Sequence, residues 1–262
     1  MSKVTQQQNQ FKILLIGESC LDVYIKGEVN RISPEAPVPV FLEKEKESRS
    51  GMLGNVSNNL KSMLPNAHFD IITNDANQIK KTRLIDKKSN YQMIRLDEDA
   101  LKDTFNAKDI KEKNYDAVVI SDYNKGFLDQ ANVSYLCKRF KDTKIFVDTK
   151  KKDLSNFEGC FIKVNELENS SIIKQPGKGS ELIVTKGDKG CYYGGRLYSV
   201  KKVDVHDVCG AGDVFLASLV TRFLETKNIN EALKAANHCA ALSVTKIGCY
   251  AVKRSEYENL CV

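Results

Sequence analysis

Residues 207–213 read DVCGAGD and lead directly into an apolar run, VFLASLVTRFL, at residues 214–224. The run predicts a helix, and glycines before it would let an anion approach the free N–H groups of the first turn. The amides that would form this anion hole are those of Gly210, Ala211 and Gly212. The carboxylate of Asp213 would lie beside them as a proton acceptor. The same pattern is typical of a turn followed by an acidic helix cap, so both interpretations stay open on this segment alone.

Short apolar runs alternate with helical patterns along most of the chain. Several runs are apolar at nearly every position, as expected of strands covered on both faces. The predicted strands are FKILLIG (11–17), YDAVVIS (115–121), KIFVD (144–148), CFIKV (160–164) and ELIVTKG (181–187). The predicted helices cover residues 54–64, 128–140, 165–173, 212–225 and 229–246. This order predicts an α/β fold.

Two segments do not fit the α/β pattern. Residues 21–46 read as strands around a proline-rich middle, and residues 80–97 read as a hairpin, KKTRLID and YQMIRLD, split by KKSN. Prolines at positions 34, 37 and 39 exclude a central strand there. We therefore expect one domain, residues 1–262, with a small β lid at about residues 20–47 and 80–97.

Bulk composition narrows the class of protein. The net charge is +6, but lysines alternate with acids, as in EKEKESR, which favours a solvated surface over a nucleic-acid interface. The eight cysteines form no CxxC pair, which indicates thiols in a reducing compartment. No apolar stretch predicts a signal peptide or a membrane span. We expect a cytoplasmic protein with no nucleic-acid or membrane partner, whose positive field favours anionic small molecules.

Several catalytic motifs are missing from the sequence. There is no GxxxxGK[ST], which excludes a P-loop, and Gly17 after the first strand does not open a GxGxxG. The three histidines lie apart from any serine or cysteine elbow, and no HExxH occurs. Dehydrogenase, hydrolase and metalloprotease functions are therefore disfavoured. An anion hole beside a carboxylate suits phosphoryl transfer, in which positioning and charge neutralisation supply most of the rate.

The stretch DVCGAGDVF resembles the C-terminal signature of the ribokinase-like (PfkB) carbohydrate kinases, DTxGAGDxF. Five further segments resemble motifs of that family in the same order: GESCLDVY (17–24), GMLGN (51–55), VNELE (164–168), VTKGDKG (184–190) and AANHCAALSVTKIG (235–248). The resemblance covers nearly the whole chain. It implies a three-layer α/β sandwich with a small β lid, a kinase activity, and ATP with Mg²⁺ as cofactors, with a monovalent cation such as K⁺ as a further candidate.

The resemblance also implies a role for each matching residue. Asp213 would take a proton from the attacking sugar hydroxyl, and the amides at 210–212 would stabilise the transferring phosphoryl group. Sugar-binding positions are Asp22, Gly51 and Asn55. Nucleotide positions are Asn165, Glu168, Thr185, Gly187, Gly190, Asn237 and Gly248, with Glu168 also organising the magnesium ion. Asp22 and Asn55 have a simpler interpretation as turn and helix caps.

One subfamily matches further segments. RISPEAPVPV (31–40), IRLDED (94–99) and SDYNKG (121–126) resemble the kinase half of bacterial ADP-heptose synthases, the D-glycero-β-D-manno-heptose 7-phosphate 1-kinases. A phosphosugar acceptor needs a cationic clamp, for which Arg95, Lys125 and Lys150 match family positions. The chain ends near the end of that kinase region without a nucleotidyltransferase HxGH element, so we expect a free-standing kinase. Lids of this kind imply a homodimer.

Three departures from the family pattern stand out. Met52 replaces a loop glycine and would narrow or reshape the sugar pocket, and Cys209 replaces a threonine before the anion hole. After FDIITN (69–74) the chain lacks a helix and strand that the family has before the lid hairpin. A kinase for another sugar or a nucleoside, or a non-catalytic binding protein of the same fold, therefore remain alternatives.

Overall fold

A mostly parallel sheet of eight strands forms the centre of the molecule, whose computed structural model describes residues 10–112 and 114–260. Its strands are β1 (Lys12–Gly17), β4 (His68–Thr73), β7 (Ala117–Asp122), β8 (Lys144–Thr149), β9 (Cys160–Asn165), β10 (Glu181–Thr185), β11 (Cys191–Tyr193) and β12 (Arg196–Tyr198). They lie in the order β12-β11-β10-β9-β8-β7-β1-β4, and the only antiparallel pairings among them are β10–β11 and β11–β12. The helices are α1 (Leu53–Met63), α2 (Gln130–Arg139), α3 (Glu166–Ser170), α4 (Ala211–Thr226), α5 (Ile229–Ser243) and α6 (Arg254–Leu260).

Helices cover both faces of this sheet. Ile13 and Leu15 of β1 pack into a core with α1, α4, α5 and α6, whereas Leu14 and Ile16 pack into a second core with α2. Successive side chains of a strand point to opposite faces, so a strand buried on both sides must be apolar throughout. The α/β fold predicted from these runs and the three-layer sandwich implied by the family resemblance are both confirmed.

The second sheet has four strands and stands apart from the sandwich. It contains β2 (Ser19–Ile32), β3 (Pro39–Met52), β5 (Ile79–Asp86) and β6 (Gln92–Asp99), in the order β3-β2-β5-β6. We call it the lid sheet, because it coincides with the predicted lid segments and extends them by a few residues. Pro34 and Pro37 lie in the exposed loop between β2 and β3, and Pro39 begins the edge strand β3, where a missing N–H is tolerated.

The predicted gap in the core edge is visible in the connection after β4. Strand β4 lies at the edge of the large sheet, and five residues, 74–78, lead from it directly into β5 of the lid sheet. Only the short 3₁₀ helix at Ala76–Gln78 intervenes, with no α-helix or further core strand in this part of the described chain.

Some elements differ from the sequence predictions. The predicted helix at 229–246 ends at Ser243, and the one at 165–173 is the single turn of α3. Strands β11 and β12 and helix α6 were not predicted, because three-residue strands and a polar seven-residue helix carry too little periodicity. No helix in the described ranges is long and apolar enough to cross a membrane.

Candidate active site

Buried polar side chains collect where three parallel strands end. Ser121 and Asp122 close β7, Asp148 and Thr149 close β8, and Lys163 lies near the end of β9; each is at least nine-tenths buried. Parallel strands end at one edge of a sheet, which is the usual place for ligand sites in open α/β folds. Helix α4 begins at this edge.

Gly210 precedes α4 in a left-handed conformation, with φ 74°. A Cβ atom at this position would lie 2.4 Å from the Nδ2 atom of Asn55, so both the backbone angle and the space require glycine. The Ala211 amide donates to the carbonyl oxygen of Val208 at 3.3 Å. The amides of Gly212 and Asp213 belong to the first turn, whose N–H groups have no carbonyl partner within an α-helix.

Asp213, in the first turn of α4, is 4% exposed and accepts two hydrogen bonds from distant parts of the chain. The Nδ2 atom of Asn55 donates to one carboxylate oxygen, and the Oη atom of Tyr123 to the other, each at 2.9 Å. Burial raises the pKa of Asp213 to about 6, against the lowering effect of the Asn55 hydrogen bond. The carboxylate is therefore ionised at neutral pH and basic enough to accept a proton.

A buried ion pair lies against the same turn. The Nζ atom of Lys163 is 2.7 Å from the Oδ2 atom of Asp148, and a Cβ atom on Gly212 would lie 2.7 Å from that Nζ. Burial works against the charge of Lys163, but Asp148 outweighs it and raises the pKa of the lysine. The Oδ1 atom of Asp148 is buried without a hydrogen-bond partner among the described residues.

Tyr123 and Lys163 were not identified from the sequence. Tyr123 lies within SDYNKG, where only Lys125 was selected, and its contact with Asp213 joins residues ninety positions apart. A signal for Lys163 was present, since a lysine interrupts the otherwise apolar strand CFIKV. Buried lysines are rarely retained without a partner and a role.

Glu18 fixes the loop that carries Tyr123. Its buried carboxylate, directly after β1, accepts hydrogen bonds from the amides of Tyr123, Lys125 and Phe127, at 2.7 to 3.2 Å. Burial, followed by the charge of Asp122, raises the pKa of Glu18. The loop between β7 and α2 is therefore held by one acidic side chain beneath it.

The lid sheet places Asp22 over this edge. Asp22 of β2 is buried, and its Oδ1 atom accepts a hydrogen bond from the Nη1 atom of Arg83 at 2.6 Å. Gly51 of β3 pairs with Cys20, two residues before Asp22, and a Cβ atom on it would be 2.1 Å from the Asp22 carboxylate. The guanidinium of Arg83 also lies 5.2 Å from the centre of the Tyr24 ring. Asp22 and Gly51 are thus together, as predicted, with Arg83 as an additional partner.

The predicted clamp residues fall at different depths. Lys150 pairs with Glu168 and lies 5.4 Å from the Tyr123 ring centre, near Asp213. Lys125 pairs with Asp99 of the lid sheet. Arg95 lies one strand beyond Arg83 and pairs with Asp97, with its side chain half exposed.

Met52 has a backbone conformation that glycine would normally occupy, with φ 55° and ψ −129°. Its side chain is buried in a small cluster with Cys20 and Ile79, against which Tyr123 packs. The effect of Met52 on the sugar pocket is therefore expected to be indirect. Its side chain lies under the lid sheet, beside Tyr123, which contacts Asp213.

A cavity of about 230 Å³ lies beside the first turn of α4. Its wall is largely apolar and includes Val203, Val205 and Val208. Residues predicted for catalysis and nucleotide binding also line it, namely Thr185, Gly187, Gly190, Ala211, Gly212 and Asn237. Asn237 and Gly190 meet at the carbonyl oxygen of Tyr198, which accepts a 2.7 Å hydrogen bond from Asn237. Gly248 lies outside the cavity, against the guanidinium of Arg49.

Asn165 and Glu168 form a capping box at the start of α3. The Oδ1 atom of Asn165 accepts from the amide of Glu168, and Glu168 accepts from the amide of Asn165. The other oxygen of Glu168 pairs with Lys150. No group of three metal-binding side chains occurs in the described ranges, so a divalent ion here would take one or two carboxylates together with other ligands.

Known proteins resemble this chain in sequence. Its residues 66–255 match the model of the pfkB family carbohydrate kinases. The bifunctional protein HldE of Helicobacter acinonychis is 34% identical over 298 positions, covering 90% of this chain and 63% of that protein. HldE of Haemophilus influenzae is 28% identical over 317 positions, covering 99% and 65%. The chain thus spans just under two thirds of the length of these relatives. Because 317 positions exceed 262 residues, the second relative carries segments that this chain lacks.

Solved structures share the fold. A ribokinase from Arabidopsis thaliana, complexed with ribose and ATP, superposes with a TM-score of 0.71 at 16% identity and covers 96% of this chain and 99% of its own. Phosphofructokinase-2 from Escherichia coli, in complex with fructose-6-phosphate, gives a TM-score of 0.68 at 13% identity, with coverage of 96% and 98%. These likenesses establish the ribokinase fold, and the sequence match establishes the family: the chain belongs to the pfkB family of carbohydrate kinases.

Proposed function

We propose that this protein is an ATP-dependent kinase that phosphorylates a hydroxyl group of a phosphosugar, with heptose 7-phosphate as the acceptor and its anomeric hydroxyl as the nucleophile. The main support for the proposal is the environment of Asp213. Its carboxylate is buried at the start of α4 and has a pKa of about 6. The residues directly before it, Ala211 and Gly212, line the apolar cavity, and its partner Asn55 lies in α1, which begins directly after β3 of the lid sheet. The bifunctional relatives named HldE favour the heptose acceptor.

The nucleotide would occupy the cavity beside α4. Its valine-rich wall suits a purine ring, and the phosphates would lie where Ala211 and Gly212 line the cavity, near the backbone N–H groups of the first turn of α4. Lys163 brings a buried positive charge to the same turn. Charge spreads over the equatorial oxygens of a phosphoryl group during transfer, so these donors would stabilise the transition state more than the ground state.

The acceptor would lie on the opposite side, under the lid sheet. The Asp22 carboxylate would accept hydrogen bonds from sugar hydroxyls, and the hydrogen bond from Asn55 would orient Asp213. Asp213 would receive the proton as the hydroxyl oxygen attacks phosphorus. The phenol of Tyr123 stays protonated, because burial followed by the charge of Asp213 raises its pKa well above the usual value, and it keeps the carboxylate oriented.

A phosphate already on the sugar requires cations outside the nucleotide site. Arg83 and Lys81 lie on the strand next to Asp22 and face the same side of the lid sheet as it does. Lys150 and Lys81 both approach the Tyr123 ring, with each ammonium group within 5.4 Å of the ring centre. We infer that Arg83 and Lys150 form the inner part of the clamp. Lys125 and Arg95 would contribute from the rim, where both already have acidic partners.

Magnesium fits the chemistry of this edge. Glu168 provides a carboxylate at the start of α3, and Asp148 has a buried oxygen without a partner in the described ranges. Mg²⁺ keeps several waters and usually takes one or two protein carboxylates plus phosphate oxygens. These two residues would hold it, and the ion would supply charge neutralisation on the phosphates. A monovalent cation stays a prediction from the family resemblance.

Direct product analysis tests the proposal. The protein would be incubated with Mg·ATP and a panel containing heptose 7-phosphate, fructose 6-phosphate, unphosphorylated sugars and a nucleoside, and products would be assigned by ³¹P NMR. We expect ADP and a new anomeric phosphate with heptose 7-phosphate only. If another compound of the panel is phosphorylated instead, that compound would be the acceptor, and the protein would still be a kinase of this family. Nucleotide binding without turnover of any member would contradict the kinase proposal and favour a non-catalytic binding protein.

A further inference from the structure

Two cysteines lie side by side at the turn before α4. The Sγ atoms of Cys209 and Cys249 are 3.1 Å apart, and both residues are free and partly exposed. The carboxylate of Asp207 holds their two loops together, accepting hydrogen bonds from the amides of Cys209 and Gly248, each at 2.9 Å. The proximity of the thiols therefore follows from a backbone clamp.

Charged and polar groups surround this pair. Arg83 Nη2 and Tyr24 Oη each lie 3.8 Å from the Cys209 sulfur, and the Asp22 carboxylate lies 4.0 Å from the Cys249 sulfur. The hydrogen bond with Cys249 lowers the pKa of Cys209 to about 7 despite burial, with help from Arg83. The pKa of Cys249 is raised by the same contact. A thiolate on Cys209 would therefore have a protonated thiol beside it, an arrangement typical of redox-active pairs.

We propose that Cys209 and Cys249 form an oxidation site at which hydrogen peroxide produces a disulfide that lowers turnover. The Cys209 thiolate would attack one peroxide oxygen, giving a sulfenic acid and, after protonation, one water. The Cys249 thiol would then attack the sulfenic sulfur and release a second water. Two thiols and one peroxide thus become one disulfide and two waters. Bond formation brings the sulfurs from 3.1 Å to about 2 Å, a shift that the two loops can divide between them.

The disulfide would change the anion hole. A Cβ atom on Gly210 would lie 3.3 Å from the Cys249 sulfur, so that sulfur packs directly against the turn before α4. Drawing it toward Cys209 would move the turn and remove the thiolate that faces Arg83. A displacement of about 1 Å at a site that orients reacting groups costs up to about 100-fold in rate. We expect at least a tenfold loss of kcat/KM, reversible by dithiothreitol.

The chain contains its own control pair. The sulfurs of Cys137 and Cys160 are 3.5 Å apart, but both residues are buried in the core between the sheet and α2. The two sulfurs are nearly as close as those of Cys209 and Cys249, but peroxide has no access to them. We therefore expect Cys137 and Cys160 to stay reduced. Cys20, also near Asp22, is buried, and burial raises its pKa to about 12.

The test treats reduced protein with hydrogen peroxide, maps disulfides by peptide mass spectrometry and measures phosphoryl transfer before and after dithiothreitol. We expect a mass loss of about 2 Da, one cross-linked peptide joining residues 209 and 249, and reversible inactivation. Cys249→Ser and Cys209→Thr should remain active in peroxide, whereas Cys137→Ser should behave like the unmodified chain. A disulfide to another cysteine, no disulfide, or a 209–249 disulfide with unchanged turnover would each refute the proposal. The mapping does not require a known acceptor, so it stays informative if the proposed function fails.

Discussion

At the scale of single residues, the proposed chemistry depends on how Asp213 is kept ionised inside the protein. Burial, and after it the Asp148 charge, favour the protonated form, whereas Asn55, Lys163 and Tyr123 favour the carboxylate. The balance leaves a pKa of about 6, above that of an exposed aspartate and below neutral. A general base is most effective when its pKa lies near the working pH.

The pH dependence of turnover should report this carboxylate. Protonated Asp213 cannot accept the hydroxyl proton, so kcat/KM should fall as the pH drops below about 6. Because the Tyr123 hydrogen bond lowers the pKa of Asp213, Tyr123→Phe should move the acid limb to higher pH and reduce kcat about tenfold. Profiles between pH 4.5 and 8.5 would measure both effects. An acid limb that stays in place or moves to lower pH in the variant would be inconsistent with this role.

The cationic clamp gives a second prediction for individual side chains. Lys150→Ala should raise the KM for the sugar phosphate at least tenfold, since a charge-assisted contact to phosphate is lost, with a smaller effect on the KM for ATP. Lys125→Ala should act in the same direction and more weakly, because Lys125 lies at the rim beside Asp99. Initial rates measured with each substrate varied in turn give the KM values for the sugar phosphate and for ATP. Equal small effects on both KM values would show that Lys150 and Lys125 do not form the clamp.

At the scale of elements, strands buried on both faces could be predicted from the sequence, whereas short polar strands and helices could not. Strand β7 is buried at every position, so its apolar run could be recognised directly. Strand β12 has three residues and an exposed arginine, and only pairing with β11 makes it a strand. The contact between Tyr123 and Asp213 also escaped prediction, because it depends on how the loop after β7 meets the start of α4.

The junction between β3 and α1 offers a prediction about stability. Met52 has a positive φ that is strained for any residue except glycine, and its side chain fills a buried cluster. Met52→Ala loses packing and keeps the strain, whereas Met52→Gly loses packing and relieves it. The glycine variant should therefore be more stable than the alanine variant by about 1–2 kcal/mol, the reverse of the usual order. Urea unfolding of the two variants would measure this, and an alanine variant of equal or higher stability would show that the strain is not present.

At the scale of the whole molecule, the two faces of the lid sheet differ, because one carries charged residues toward the active site and the other carries a row of apolar residues flanked by Lys46, Lys80 and Glu98. Asp22, Arg83 and Arg95 occupy neighbouring positions on the side toward the active site. Residues on the opposite side include Ile25, Leu84, Ile94 and Leu96, of which Ile94 and Leu96 are half exposed. An apolar sheet face in water is typical of an interaction surface.

We propose a homodimer formed through the apolar face of the lid sheet. Light scattering after size-exclusion chromatography should give twice the 29.4 kDa mass of one chain. Leu96→Glu should shift the mass toward that of a single chain without unfolding it, because the side chain is exposed. A monomer at micromolar concentration, or a dimer unaffected by the substitution, would exclude this interface.

The connection after β4 could be recognised as short from the sequence, but its consequence for activity could not. Five residues join β4 to the lid sheet, and the Haemophilus relative carries additional segments. The site residues lie elsewhere, at the ends of β7, β8 and β9 and at the start of α4. The shortened edge therefore leaves the groups around Asp213 in place, so we expect it to affect the sheet edge more than the chemistry.

The substitution Asp213→Asn tests the central claim most directly. Asparagine fits the same space and removes the proton acceptor, so kcat with the phosphosugar acceptor should fall at least 100-fold. The affinity for ATP, measured by calorimetry, should change less than about threefold, because the apolar cavity is untouched. A variant that retains kcat within about tenfold of the unmodified protein would contradict the assignment of Asp213 as the catalytic base.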